Sequence, residues 1–269
     1  MRTGVSTASL FLRKNNEEAL PLLHTLGVKT AEVFLTSFSE YDEAFGRLLA
    51  SVKGEVDLFS AHVLNTQFEP QLFAVHERVR ADAYAWLERA LGAMKAFGAT
   101  HYTFHGTARV KKASRSGEND DFDSMRKNFA LIAEICARYG VRLCLENVEW
   151  STYNRAGVFS KIAEAVPSLG GVLDIKQARI SGVAYAEYLE EMGARLTHVH
   201  ISDTDGNGKM VLPGKGAFDF AELIERLKGV GFDGPLLIEA YKKDYQSVEE
   251  LKTACEYIDE ILYKKGCLG

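Results

Sequence analysis

Four residues with the chemistry of metal ligands recur at regular spacing in the second half of the chain. His200 lies in the apolar run LTHVHISD, and Glu146, Asp174 and Glu239 occupy matching places in LCLENV, GVLDIK and LLIEAY. A charged or imidazole side chain at the end of a buried strand is costly unless its polar atoms have partners. Three carboxylates that meet would repel one another, and a cation removes this repulsion. The pattern therefore indicates one divalent metal site.

The donor set predicts which ions fit. Three carboxylates and one imidazole suit an octahedral ion with open positions, so we expect Mn²⁺ first, with Mg²⁺, Co²⁺ or Zn²⁺ as alternatives. Taken singly, each of the four residues is equally well explained as a polar group satisfied by its neighbours. Their recurrence at equivalent places in consecutive segments is what favours a shared metal.

Strand-like and helix-like segments alternate along the whole chain and must position these residues. The strand-like segments are continuous apolar runs, as expected for parallel strands that are buried on both faces. Eight βα units in 269 residues predict an α/β protein with one (β/α)8 TIM-barrel domain over residues 1–269. An open doubly wound sheet is the alternative, but no GxGxxG follows the first strand. The helix predicted at 71–97 is long enough to be two helices.

The barrel prediction places the four residues together. Active sites of such barrels lie at the carboxyl ends of the strands, and the four residues would end the fifth to eighth strands. His62 and His105 would end the third and fourth strands and face the same mouth. His198 lies one layer deeper than His200 and is expected to belong to the core.

Composition narrows the class of function. The net charge of −5, with acids and bases well mixed, gives no general attraction for nucleic acid or an anionic membrane. No stretch approaches 18 apolar residues, and no signal-peptide core is found near the first residues, so a cytoplasmic protein is expected. The four cysteines show no CxxC spacing and are predicted to be free, buried thiols. The sequence is compatible with a homo-oligomer and does not fix the oligomeric state.

The segments LENV, VLDI, HVHISD with LPGKGAFDF, and LLIEAY resemble the sugar phosphate isomerase/epimerase superfamily of xylose-isomerase-like barrels. This superfamily includes ketose 3-epimerases, inosose dehydratases, hydroxypyruvate isomerases and endonuclease IV. The resemblance covers essentially the whole chain and is strongest over residues 141–239. It implies that Glu146, Asp174, His200 and Glu239 are the metal ligands. By analogy with the epimerases, it also implies that Glu146 and Glu239 are the acid/base pair.

His62 and His105 resemble the histidines that endonuclease IV uses for additional zinc ions. They are predicted to contact the substrate or to support the ligands; a second metal and satisfied rim histidines are the alternatives. Gln177, Gly208 and Met210 stand where a trinuclear site needs ligands, which argues against endonuclease chemistry.

Further residues are predicted near the barrel mouth. The calcium-loop likeness of DTDGNG is discounted, because its twelfth position is Gly214 instead of glutamate. A basic loop is interpreted as either solvated or as a lid that contacts phosphate. The substrate-contacting or supporting candidates are Trp150, Lys176, Gln177, Asp203 and Lys215, and the basic loop holds Arg109, Lys111, Lys112 and Arg115.

The predicted function is isomerisation or epimerisation of a small sugar, ketose or sugar-derived ketone. A metal that holds the carbonyl and a neighbouring hydroxyl stabilises an enediolate, and two carboxylates move the proton. The first alternative is a dehydratase acting on an inosose or a similar keto-sugar. An endonuclease IV-like phosphodiesterase and a non-catalytic metal-binding barrel are the remaining alternatives.

Overall fold

Eight parallel strands close into a barrel in the computed structural model, which describes residues 1–107 and 121–267. A short antiparallel hairpin, β8 with β9, follows the seventh barrel strand. The barrel order is β1-β10-β7-β6-β5-β4-β3-β2. The predicted TIM barrel is therefore confirmed, whereas the basic loop at residues 109–115 lies outside the described residues. The strands are β1 Arg2–Ser6, β2 Thr30–Leu35, β3 Asp57–Val63, β4 His101–Phe104, β5 Arg142–Glu146, β6 Gly170–Asp174, β7 Leu196–Ile201, β8 Asp203–Thr204, β9 Met210–Val211 and β10 Pro235–Ile238.

Helices surround the barrel, and two of them refine the sequence prediction. The segment predicted at 71–97 is indeed two helices, a 3₁₀ turn at Glu69–Phe73 and then α3. The short helix α6 directly after β6 was not predicted. The α-helices are α1 Asn16–Thr25, α2 Glu43–Val52, α3 Glu77–Phe97, α4 Phe122–Arg138, α5 Val158–Ala163, α6 Ile175–Ser181, α7 Tyr185–Met192, α8 Phe220–Gly229 and α9 Glu249–Lys264.

Aspartates begin several of these helices. The carboxylates of Asp42, Asp121, Asp174 and Asp219 each accept a hydrogen bond from a backbone N–H in the first turn of the helix that follows. This bond satisfies a donor that has no partner within the helix. Asp174 is the one of these four that is also a predicted metal ligand. Its second role explains α6, because the carboxylate that ends β6 also accepts from Gln177 N at 2.9 Å.

Strand register brings residues that are distant in sequence to the same height in the barrel. Asp174 lies beside His200 in the β6–β7 pair, and His200 lies beside Leu237 in the β7–β10 pair. Glu239 continues the ladder beyond β10, because its backbone N–H donates to Ile201 O at 3.0 Å. Parallel strands end at one edge of the sheet, so the side chains at these ends share one face of the barrel.

The predicted free thiols are present. All four cysteines are free; Cys136 and Cys144 are buried, whereas Cys255 and Cys267 are only partly buried. Burial raises the pKa of the Cys144 thiol to about 12, so this side chain stays protonated at neutral pH. Among the described residues, no helix is both long and apolar enough to cross a membrane.

The close packing of α2 on α3 yields a stability prediction. A Cβ at Gly46 would lie 2.4 Å from Ala93 O and 2.7 Å from Ala96 Cβ, so the two helices would have to separate. We expect Gly46→Ala to lower the free energy of unfolding by about 1–3 kcal/mol, measured by urea denaturation.

Gly92→Ala is the matched control for this prediction. It lies in α3, and its added Cβ would meet Glu43 Cγ at an ordinary 3.5 Å. Both substitutions gain the same helix propensity, up to about 1 kcal/mol, so their difference isolates the steric clash. Equal stability of the two variants would contradict the close approach of these helices.

Candidate active site and metal centre

The four predicted ligands converge at the carboxyl end of the barrel. Nδ1 of His200 lies 2.9 Å from Glu146 Oε1 and 3.1 Å from Glu239 Oε2. One ligand atom each from Glu146, Asp174 and His200 lie within 4.8 Å of one another, a separation that a single ion can bridge. All four side chains are buried or nearly so; Glu239 is the most accessible at 12% exposed.

The pKa values of His200 and Glu146 indicate that this cluster favours a positive charge. Burial lowers the pKa of His200, but Glu32, Glu239 and Glu146 outweigh burial and raise it well above its usual value. Burial likewise raises the pKa of Glu146, and the imidazoles of His200 and His105 outweigh this effect and hold it low. The arrangement is therefore stable when a positive charge sits between the carboxylates. The raised pKa of His200 favours an imidazolium at this place.

The side chains present fit a divalent ion. Within the described residues, Glu239 Oε2 is buried and makes no hydrogen bond, although His200 Nδ1 lies 3.1 Å away. A buried carboxylate oxygen without a hydrogen bond is unusual and points to a missing partner. Carboxylate oxygens with one imidazole are the donor set expected for Mn²⁺ or a related ion.

Lys176 places a permanent cation beside the same carboxylates. Its Nζ lies 3.4 Å from Asp174 Oδ2, 3.2 Å from Glu239 Oε1 and 4.7 Å from the ring centre of Tyr241. Burial lowers the pKa of this amine, but Asp174 and Glu239 outweigh burial and raise it well above its usual value. The protonated form of Lys176 is therefore favoured. In this form Nζ pairs with Asp174 and Glu239 and can also donate a hydrogen bond to a substrate oxygen.

His105 is held on both sides by carboxylates. Nδ1 of His105 lies 2.8 Å from Glu69 Oε2, and Nε2 lies 3.3 Å from Glu146 Oε2. Tyr102 donates its hydroxyl to the other oxygen of Glu69 at 2.6 Å, and Trp150 stacks on the His105 ring at 5.8 Å between centroids. His105 thus contacts Glu146 through the oxygen that faces away from His200. Glu69 orients the ring.

Two buried glutamates in this network, Glu32 and Glu69, were not predicted from the sequence. Glu32 interrupts the apolar strand TAEVFL and is fully buried next to His62, His198 and His200. A lone acid inside an apolar run was the available signal for Glu32. Glu69 had no such signal, because it lies in the polar-looking segment NTQFEPQ.

A cavity of about 190 Å³ opens onto this cluster. His62, His105, Glu146 and Glu239 contribute polar groups to its wall, and Gln177 lies at its side with Oε1 accepting from Glu149 N at 3.3 Å. The volume is below the roughly 300–1,000 Å³ of drug-sized pockets, which suits a small substrate. The apolar and aromatic part of the wall comprises Ala8, Phe11, Phe34, Val63, Leu64, Val148, Trp150 and Tyr241.

Two of the predicted mouth residues have other partners. Lys215 Nζ contacts Glu250 and does not reach the cluster of ligands. Asp203 is buried, and its two oxygens accept from the backbone N–H groups of the loop that follows β7. The donors are Thr204, Gly214, Gly216 and Phe218.

The contacts of Asp203 yield a second prediction. Asp203→Ala would leave several partly buried N–H groups without their acceptor, so we expect it to lower the free energy of unfolding by about 1–3 kcal/mol. Asp205→Ala is the control, because this exposed carboxylate accepts from Asn207 N and Lys209 N near solvent, and a change within about 0.5 kcal/mol is expected. Urea denaturation measures both. A stable Asp203→Ala protein with weakened substrate binding would instead make Asp203 a substrate ligand.

The fold and the site together define the class of protein. The family model described as xylose isomerase-like TIM barrel matches residues 20–261, and the chain belongs to this family. The chain is also similar to an inosose isomerase of Halalkalibacterium halodurans, with 26% identity over 147 residues, 49% of this chain and 52% of that protein. The match covers 49% and 52% of two of the curated relatives, and 93% of another, a protein of Mycobacterium leprae that is 23% identical.

Solved structures share the whole fold at low identity. A D-psicose 3-epimerase crystallised in the presence of D-fructose superposes with a TM-score of 0.75, 17% identity and 100% coverage of both chains. The IolI protein with a bound zinc atom superposes with a TM-score of 0.74 and 17% identity, covering 98% of this chain and 97% of that one. At such identity these likenesses show a common fold.

Proposed function

We propose that this protein is a divalent-metal-dependent isomerase or epimerase of a small sugar, ketose or sugar-derived ketone. The observation that carries the proposal is the placement of Glu146 and Glu239. Both carboxylates lie close to His200 Nδ1, at 2.9 and 3.1 Å, and both line the same cavity. Two carboxylates that flank one small cavity can reach a substrate from two sides.

The residues that would hold the ion are Glu146, Asp174, His200 and Glu239. An ion bound there supplies Lewis acidity, which polarises a substrate carbonyl and makes the neighbouring C–H bond more acidic. We expect Mn²⁺ from the donor set. The zinc atom in the similar IolI structure makes Zn²⁺ the first alternative.

Proton transfer is assigned to the two glutamates. One carboxylate removes the proton from the carbon next to the carbonyl, and the electron pair of that C–H bond moves toward the carbonyl oxygen. The other glutamate, in its protonated form, returns a proton from the opposite side. Delivery to the same carbon inverts its configuration. Delivery to the former carbonyl carbon moves the carbonyl when the proton of the neighbouring hydroxyl also passes to the former carbonyl oxygen.

Neighbouring side chains support this assignment. Lys176 and His105 each contact one of the two glutamates, at 3.2 and 3.3 Å, and so modulate how readily each carboxylate takes up a proton. Trp150, Phe34 and Tyr241 wall the cavity and limit the access of water. We expect these aromatic rings to contact the apolar C–H face of a sugar.

A dehydratase is the second candidate. His105 lines the cavity; Glu69 lies 2.8 Å from its Nδ1, and its Nε2 lies 3.3 Å from Glu146 Oε2, so Nε2 is the nitrogen next to the predicted proton-transfer residue. A protonated imidazole at that place can donate to a departing hydroxyl after the first proton has been removed. With this step, a substrate bound in the same way would lose water instead of being epimerised.

A substrate screen in D₂O tests the proposal. Ketoses, inososes and sugar phosphates are incubated with Mn²⁺-loaded protein, and NMR follows deuterium incorporation into substrate and product. Exchange at the carbon next to the carbonyl, abolished by a chelator, is the expected result. Loss of a hydroxyl would favour the dehydratase, and incision of an abasic-site duplex added as a further arm would favour phosphodiester chemistry. A protein that binds metal but exchanges no proton with any substrate class would contradict the proposal.

A further inference from the structure

Glu32 is a buried carboxylate whose partners come from strands on several sides of the barrel. It contacts Ser60 on β3, Thr103 on β4 and both histidines of β7, so its side chain lies in the barrel interior. A charge in such a place costs several kcal/mol unless it is paired and hydrogen-bonded. Neither the proton transfer nor the predicted ligand set uses Glu32. Its retention in the interior calls for another explanation.

The two oxygens of Glu32 have different roles. Oε2 accepts hydrogen bonds from Ser60 Oγ at 2.8 Å and Thr103 Oγ1 at 2.6 Å, and His198 Nε2 lies 3.3 Å away. Oε1 lies 3.0 Å from His200 Nε2 and 3.6 Å from His62 Nε2. In the described part of the chain, Oε1 and these two nitrogens make no aligned hydrogen bond to any group. Oε1 can therefore accept a hydrogen bond from His200.

The ring of His200 requires such an acceptor. Its Nδ1 faces Glu146 and Glu239, so Nδ1 is the nitrogen that can give its lone pair to an ion among these carboxylates. A neutral imidazole that gives up the Nδ1 lone pair carries its hydrogen on Nε2. Nε2 is 3.0 Å from Glu32 Oε1, which makes this oxygen the nearest carboxylate acceptor recorded for an Nε2–H hydrogen in the described part of the chain.

We propose that Glu32 is a positioning residue that holds His200 with Nε2 protonated and Nδ1 turned toward Glu146, Asp174 and Glu239. The inference rests on the metal centre of the proposed function. A carboxylate behind a ligating histidine fixes the orientation of the ring and strengthens the ligand. Because two hydroxyl groups donate to Oε2, the Glu32 side chain has little freedom to move. Its contact with the imidazole ring of His200 therefore restricts the orientation of that ring.

The opposing explanation is that Glu32 is itself a ligand. Ligand atoms of Glu32, His62 and Glu239 lie within 4.8 Å of one another, so a second ion could bind there. Ligand atoms of Glu32, His198 and His200 meet the same limit. An ion in either place would compete with a hydrogen bond between Glu32 and His200. If Glu32 is a positioning residue, one ion binds Nδ1 of His200 and Glu32 accepts from Nε2. Both ring nitrogens then have a partner, and for this reason the geometry favours this role.

The first test is read on the wild-type protein, and a variant serves only for assignment. The chain is labelled with ¹⁵N-histidine and loaded with Zn²⁺, a diamagnetic probe, and long-range ¹H–¹⁵N spectra report the state of each ring nitrogen. His200→Ala assigns the signal. We expect metal-bound Nδ1 and protonated Nε2 on His200. Zinc on Nε2 would overturn the proposal while leaving the metal centre intact.

The second test measures Zn²⁺ affinity by competition with a chromophoric chelator. We expect Glu32→Leu to lose about 10–100-fold in affinity and Glu32→Gln, which keeps an acceptor oxygen, to lose less. Ser60→Ala is the intermediate variant, because it removes one of the two hydroxyl hydrogen bonds to Oε2 and leaves Oε1 in place, so it should lose less affinity than Glu32→Leu. Urea denaturation identifies any variant that is merely unfolded.

The remaining outcomes each decide the matter. A folded Glu32→Leu protein with wild-type affinity would refute positioning. Two zinc ions in the wild type, with one lost on replacing Glu32, would make Glu32 a ligand. A wild-type protein that takes up no zinc, manganese or cobalt would overturn the metal centre itself, and the role of Glu32 with it. Intact zinc binding without sugar chemistry would contradict the proposed reaction alone.

Discussion

Glu146→Gln and Glu239→Gln are each expected to lower turnover by at least about a hundredfold, because general acid–base catalysis typically contributes 10²–10⁴-fold. Glutamine keeps the size of the side chain and one oxygen that can serve as a ligand, but it cannot take up or release the proton. Substrate should still bind, so kcat should fall more than KM changes. Steady-state kinetics at saturating metal, with the substrate identified by the exchange screen, measures both quantities.

A control and a partial reaction sharpen this prediction. Glu40→Gln removes another buried carboxylate, which accepts from Ser37 N at 3.1 Å and lies outside the cluster of ligands, and it should retain turnover. Each single glutamine variant should still exchange one substrate proton with D₂O, from the side of the surviving carboxylate. Normal epimerisation by either variant would show that the base lies elsewhere, with His62 and His105, which line the same cavity, as the next candidates.

Loss of the bound metal is the second large effect that we expect. His200→Ala removes the nitrogen that lies between Glu146 and Glu239, and Asp174→Ala removes a buried carboxylate from the same group. Each should abolish stoichiometric binding of the single divalent ion while the barrel stays folded. Elemental analysis of metal-replete protein, with circular dichroism to monitor the fold, measures the two properties separately.

Asp174 needs a more conservative partner in this experiment, because its carboxylate also begins α6 by accepting from Gln177 N at 2.9 Å. Asp174→Asn keeps an oxygen for that hydrogen bond and removes the negative charge. It should therefore weaken metal binding at a smaller cost to stability than Asp174→Ala. His101→Ala, at the start of β4, controls for the loss of a histidine. Full stoichiometric metal in both His200→Ala and Asp174→Ala would refute the assigned site.

The barrel and the convergence of Glu146, Asp174, His200 and Glu239 could be predicted from the amino-acid sequence. Apolar runs that alternate with amphipathic segments predict βα units, and parallel strands must end at one edge of the sheet. Polar residues at the ends of four successive strands must then lie together at the carboxyl end of the barrel. This argument uses only local pattern and topology, and so it needs no distances.

The tertiary structure alone decided which of the other polar residues join that group. Lys215 and Asp203 stand in the same stretch of sequence as His200, yet one contacts Glu250 and the other accepts from the backbone of its own loop. Loop side chains are directed by the path of the loop, which local pattern does not specify.

The two buried glutamates show the same division most clearly. Glu32 and Glu69 precede the predicted ligands by more than 70 residues and lie in segments with no shared pattern. Barrel closure brings β2 opposite β7, so that Glu32 reaches His200, and the 3₁₀ turn after β3 carries Glu69 to His105. Sequence determined which side chains could bind a metal or move a proton. The closure of the barrel and the path of its loops decided which carboxylates contact the histidines. Glu32 and His200 come from strands that are not neighbours in the chain, and Glu69 and His105 are 36 residues apart.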